Sequence, residues 1–195
     1  MKGFIMSHPR KLLCQVFLGA FLTISATADA QTIAERSADV SGESFVRAFL
    51  GNCAQNAGNF NLVVNASKAL GFADLPERMR PLVAPQDPNA EFIGFFVQTG
   101  EGAPYLLGVS KSDVEGQSLT SCTVANPYIE TAEVVSALQS FAQTGIPDVD
   151  ETAMGQRYRV WLVNQYVQGA FISLTDAEPM GYDGASLSII APSQN

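Results

Sequence analysis

The sequence predicts an α+β domain: an antiparallel sheet of about six strands, with two N-terminal helices and one central helix packed on it and one disulfide. Three observations predict it. Hydrophobic periodicity runs in the order helix, helix, three strands, helix, three strands, and that order favours helices gathered on one face of an antiparallel sheet. The chain has 195 residues, which suits one folding unit behind a leader rather than two small cores. Two cysteines, Cys53 and Cys122, stand in the body of the chain.

The leader is residues 1–30. Lys2, Arg10 and Lys11 make a basic start, residues 12–24 are uncharged and mostly apolar, and Ala28-Asp29-Ala30 is the small-x-small triplet a signal peptidase cuts. Cleavage is expected after Ala30, leaving residues 31–195 as a single secreted domain, periplasmic or released. The uncharged run falls short of the ~20 residues a membrane span needs. No later run is as long, so no transmembrane segment is expected in the mature chain. Cleavage removes the only histidine, His8, and leaves 8 basic against 18 acidic residues. Such a chain carries no electrostatic footprint for nucleic acid.

The elements follow in order. Residues 31–40 are polar and read as a loose N-terminal segment. Over residues 43–54, Phe45, Val46, Phe49, Leu50 and Cys53 fall on one helical face, with Ser41 or Ser44 as cap. A second helix fits residues 61–70, with Leu62, Val63, Ala66 and Leu70 on one stripe and Gly71 as its stop. Pro76, Pro81, Pro85 and Pro88 make residues 72–89 a connecting loop with at most one helical turn at 76–79. Residues 91–99, 104–110 and 117–125 are rich in Phe, Ile, Val, Leu and Thr and are separated by turn chemistry, so they read as a three-stranded meander. In the third strand Cys122 shares a face with Thr120 and Val124, while Leu119, Ser121 and Thr123 point the other way. Val134, Val135, Leu138, Phe141 and Ala142 set a helix over residues 130–144, ended by Gly145 and Pro147. Strands at 156–165, 167–174 and 185–191 complete the pattern.

Export puts Cys53 and Cys122 in an oxidising compartment, where a disulfide is the expected state. It would close a loop of about 70 residues, which the chain-entropy model values at roughly 4 kcal/mol before any strain is subtracted. With no C-x-x-C pair and no histidine, nothing in the mature sequence activates a thiol as a nucleophile.

Carboxylates are the one abundant catalytic group. Asp148, Asp150 and Glu151 cluster after the third helix, and Asp176, Glu178 and Asp183 cluster in the last long loop. An EF-hand starting at Asp148 fails, because Ala153 stands where glycine is needed and Arg159 where glutamate is needed. No metal site and no cofactor is expected: a Walker loop, a G-x-G-x-x-G and a G-x-S-x-G are all absent. Arg157, Arg159 and Trp161 share one strand face, and on an uncovered sheet they would form a binding surface for an anionic or aromatic group. Alternatively the arginines pair with the plentiful acids and Trp161 packs under a loop.

The helix carrying Cys53, followed by Ala69-Leu70-Gly71-Phe72 and far downstream by Ser121-Cys122-Thr123-Val124, resembles small secreted two-cysteine proteins of unknown function from proteobacteria. That resemblance implies a Gram-negative exported protein with a helix-to-strand disulfide, and it brings no catalytic residue. The expected function is therefore that of a non-catalytic binding or accessory protein for an unidentified protein or small-molecule ligand. The alternative is a carboxylate-based hydrolase of the cell envelope.

Overall fold

The computed structural model describes residues 41–98 and 104–194. The leader, its cleavage site, residues 31–40 and the Gly100-Glu101-Gly102 turn lie outside the described residues. Eight antiparallel strands form one sheet: β1 (Ala73–Asp74), β2 (Glu91–Val97), β3 (Tyr105–Val114), β4 (Gln117–Asn126), β5 (Val149–Ala153), β6 (Gln156–Leu162), β7 (Phe171–Asp176) and β8 (Ala185–Pro192). Their spatial order is β1-β2-β3-β4-β8-β7-β6-β5. Each half is a four-stranded meander whose last strand reaches the centre, so β4 and β8 meet with Thr123 opposite Ser188. Glu115-Gly116 and Met154-Gly155 close two-residue hairpins, all four residues at positive φ, the conformation whose twist matches the flanking strands.

Three α-helices cover one side: α1 (Gly42–Asn52), α2 (Phe60–Ala69) and α3 (Thr131–Phe141). Ser41 and Asn59 cap the first two by accepting from the amides of Ser44 and Leu62, which satisfies donors that a helix start leaves open. The amide of Gly42 donates to Glu133 Oε2 at 2.9 Å and ties α1 to α3. Phe45, Phe49, Val63, Val134 and Leu138 meet Leu107, Val124, Ile172 and Leu187 in one buried core. Burying each such side chain contributes about 1.5–3 kcal/mol over leaving it in water. Cys53 and Cys122 lie inside this core and are bonded, with their Cα atoms 5.3 Å apart. The link joins the end of α1 to the middle of β4, a helix-to-strand clamp.

Among the described residues, the opposite side is covered mainly over β2 and β3. Gly94 and Gly108 stand opposite each other there. A Cβ on Gly108 would come 2.8 Å from the Val83 carbonyl, and one on Gly94 would meet Leu75 at 2.6 Å. The pair thus leaves a bare track on which the proline-rich segment lies, with Leu75, Met79 and Val83 packed on Phe92, Phe96 and Leu106. Arg80, in a 3-10 helix at Glu77–Leu82, stacks over the Phe92 ring at 4.8 Å.

The α+β class and the disulfide are as expected, but the sheet has two strands more than the expected six. β1 is only two residues long and lies in a stretch expected to be loop. β5 carries Asp150 and Glu151, the acids expected in a loop, on an edge whose five residues are all exposed. An edge strand with no buried face has no apolar alternation to announce it. Helical content also differs: 3-10 helices at Ala54–Asn56, Glu77–Leu82 and Glu178–Met180 add to the α-helices, and the second of these sits on the side away from α1–α3. No helix among the described residues is long and apolar enough to cross a membrane.

Candidate binding face

Register decides which side each strand residue occupies. Arg157, Arg159 and Trp161 do share a face of β6, and it is the side on which the helices lie, since they pair with Asp176, Leu174 and Ile172. Trp161 is 3% exposed and donates its indole N–H to the Gly145 carbonyl at 3.0 Å. Arg157 grips Asp150 through two hydrogen bonds of 2.7 Å. Those bonds hold the Asp150 carboxyl below its ordinary pKa range. Arg159 is buried against Asp176 Oδ2 at 3.3 Å and Glu178 Oε2 at 3.3 Å. Burial pushes the Asp176 carboxyl up, against the Glu178 amide and Arg159, which pull it down. An incoming anion at Arg157 would have to displace Asp150, and Trp161 offers no stacking surface. Among the described residues no group of three or more His, Cys, Asp or Glu converges as a metal site.

The surface that the described residues leave open lies on the other side of the sheet, over β4, β8, β7 and β6. From the bare Gly94–Gly108 track one cross-strand row continues through Thr123, Ser188 and Ser173 to Val160 and Val149. The next row carries Ser121, Ile190, Phe171 and Leu162. On the other side of the first row lies one that carries Ser186, Thr175 and Tyr158 and ends at Glu151 on the edge strand β5. Large apolar groups stand exposed around it: Leu162 at 62%, Leu82 at 52%, Val114 at 50% and Val149 at 41%. None of the residues that β4, β8, β7 and β6 present on this side is charged.

The Leu82–Gln86 segment rises beside these strands and shapes two grooves. One, of about 460 Å³, runs between Leu82 and Gln86 and the Tyr158, Thr175 and Ser186 strands. The other, of about 380 Å³, runs between the same segment and Ser121, Ser188 and Ile190. They share Leu82, Ala84, Gln86 and Ser186, so they form one bent channel. Volumes of this order accept a small molecule or a segment of a polymer. The polar groups lining it are hydroxyls and neutral amides, with two carboxylates at one end, the buried Asp176 and the exposed Asp183.

Periodicity alone puts Ser121 and Thr123 on one face of their strand but marks none of these hydroxyls as a site. The signal was present as Ser121-x-Thr123, Ser173-x-Thr175 and Ser186-x-Ser188, a period of two that puts hydroxyls on one side of three strands. Only the strand order, which sets β4, β8 and β7 side by side, turns three pairs into a patch. No family model matches the chain, and neither the curated proteins nor the solved structures give a match.

Proposed function

We propose that the protein is an exported, non-catalytic binding or accessory protein, cut after Ala30 and active in the periplasm or beyond it, that holds an uncharged ligand in the channel over β4, β8, β7 and β6. The observation that carries this reading is the charge-free character of that face in a chain with 11 basic and 19 acidic residues. Charged residues are normally plentiful wherever a strand meets water, and exposed apolar groups set among unpaired hydroxyls mark an interaction surface. A hydrolase working through two acids needs them about a shared substrate bond. Here Asp176 and Glu178 instead both contact the guanidinium of Arg159. The Cys53–Cys122 disulfide is compatible with an oxidising compartment.

Affinity purification of the tagged protein from its own envelope fraction tests the reading, with Ser186→Arg as the blocked control. An uncharged compound or polymer enriched with the native chain and lost with the variant is the expected result. Enrichment of nothing, or equal enrichment with both, overturns it.

A further inference from the structure

We propose that the ligand is a neutral polysaccharide strand lying along the bent channel, an inference that rests on the binding reading above and names its ligand class. The chemistry of the lining selects it. Among the described residues, the lining hydroxyls of Ser121, Thr175 and Ser186 make no side-chain hydrogen bond, whereas Thr123 and Ser188 satisfy each other at 2.8 Å. A hydroxyl both donates and accepts, as do the amides of Gln86 and Gln156 that line the longer arm. Groups of this kind suit a partner that also carries donors and acceptors at short intervals. Between them Tyr158, Ile190 and Leu82 offer apolar surface to the C–H faces of sugar rings.

Charge excludes the main rivals. A phosphorylated or carboxylated polymer meets no cationic side chain in the channel and is repelled by a chain of formal charge −8. A cationic polymer finds carboxylates only at one end, Asp183 and an Asp176 that is buried against Arg159. A peptide in extended form adds to a sheet edge through its main chain, but the channel crosses the middle of a sheet whose main-chain groups are already paired.

Area weighs against a second copy of the chain. Four strands about 4.8 Å apart and six residues of ~3.3 Å each span roughly 400 Å². That is about half of the ~800 Å² per partner that a stable interface buries. A single polymer strand needs less surface and follows the two joined arms.

The test uses the full chain, produced for export and isotopically labelled, with amide chemical shifts read against three probes. These are the tetramer of N-acetylglucosamine and the α-1,4 and β-1,4 tetramers of glucose. Saturable shifts at Ser121, Ser186 and Ser188 with at least one probe are expected, with affinity at least tenfold weaker in Ser186→Arg and in Thr175→Arg. No shift with any probe at millimolar concentration overturns the ligand class. If a photo-crosslinker at Leu162 then still captures a partner, the binding face survives and only its ligand changes; if it captures nothing, both readings fall. Shifts at the same residues that appear on raising protein concentration without sugar assign the face to a second copy and overturn the proposal.

Discussion

Thr123 and Ser188 face each other where β4 meets β8, their hydroxyl oxygens 2.8 Å apart. This is the seam between the two meanders, and β4 also carries Cys122. Replacing Thr123 with valine keeps the β-branched shape but leaves the Ser188 hydroxyl without its partner. The expected loss is about 1 kcal/mol. The double variant T123V/S188A is expected to recover part of it, because two apolar groups leave nothing unpaired. Urea midpoints of the four members of the cycle check this, and strict additivity would contradict it.

The disulfide closes a loop with a sequence separation of 69. Replacing both cysteines with alanine is expected to cost roughly 4 kcal/mol, within a range of about 2–5 kcal/mol. Thiol titration should find Cys53 and Cys122 unreactive in the native chain and also in denaturant, until a reductant is added.

Gly108→Ala puts a methyl group 2.8 Å from the Val83 carbonyl. Overpacking of this kind costs about 1–3 kcal/mol. The particular signature is local: hydrogen exchange should quicken at the Val83 amide, which donates to the Arg80 carbonyl at 3.2 Å, while amides in α1 and α3 keep their rates. Unchanged exchange at Val83 would show that the segment does not depend on the glycine track.

Arg159→Met leaves the buried Asp176 facing only the exposed Glu178 and the more distant Arg157, and breaking such a pair costs about 3–5 kcal/mol. The pH dependence has a definite sign. Burial already raises the folded carboxyl above its ordinary value, and removing the cation raises it further. The folded state then holds the proton more tightly than the unfolded state does. Stability is therefore greatest below the ordinary carboxylate range and falls as pH rises through the folded value. The variant should be more damaged at neutral pH than in acid, and R159M/D176L should narrow the gap at neutral pH. Asp150, held low by Arg157, has the opposite sign: its contribution is lost as pH falls.

The parts of the fold that the sequence made legible are those with a buried stripe. Phe45, Val46 and Phe49 on α1, Val134 and Leu138 on α3, and the alternation around Cys122 on β4 each repeat at the period of their element, and each sits in the core. β5 was missed because its partner strand β6 shields nothing of it: Val149 through Ala153 are exposed on both sides, so solvent imposes no pattern. Trp161 and the two arginines were correctly placed on one face, but periodicity does not say which face receives the helices. That is fixed by long-range register, Arg159 opposite Leu174 and Trp161 opposite Ile172. The hydroxyl pairs were hidden for the same reason, since a serine two residues from another means little until three strands lie together.

The central claim, that this protein works through the open side of its sheet, is tested most directly by site-specific photo-crosslinking in cells. A photoreactive residue at Leu162 samples the open side, and one at Leu62 samples the outer surface of α2, where a side chain of similar exposure stands. An adduct is expected from position 162 that disappears when Ser186→Arg is added, and none from position 62. An adduct from position 62 alone would place the working surface on the helices and contradict it.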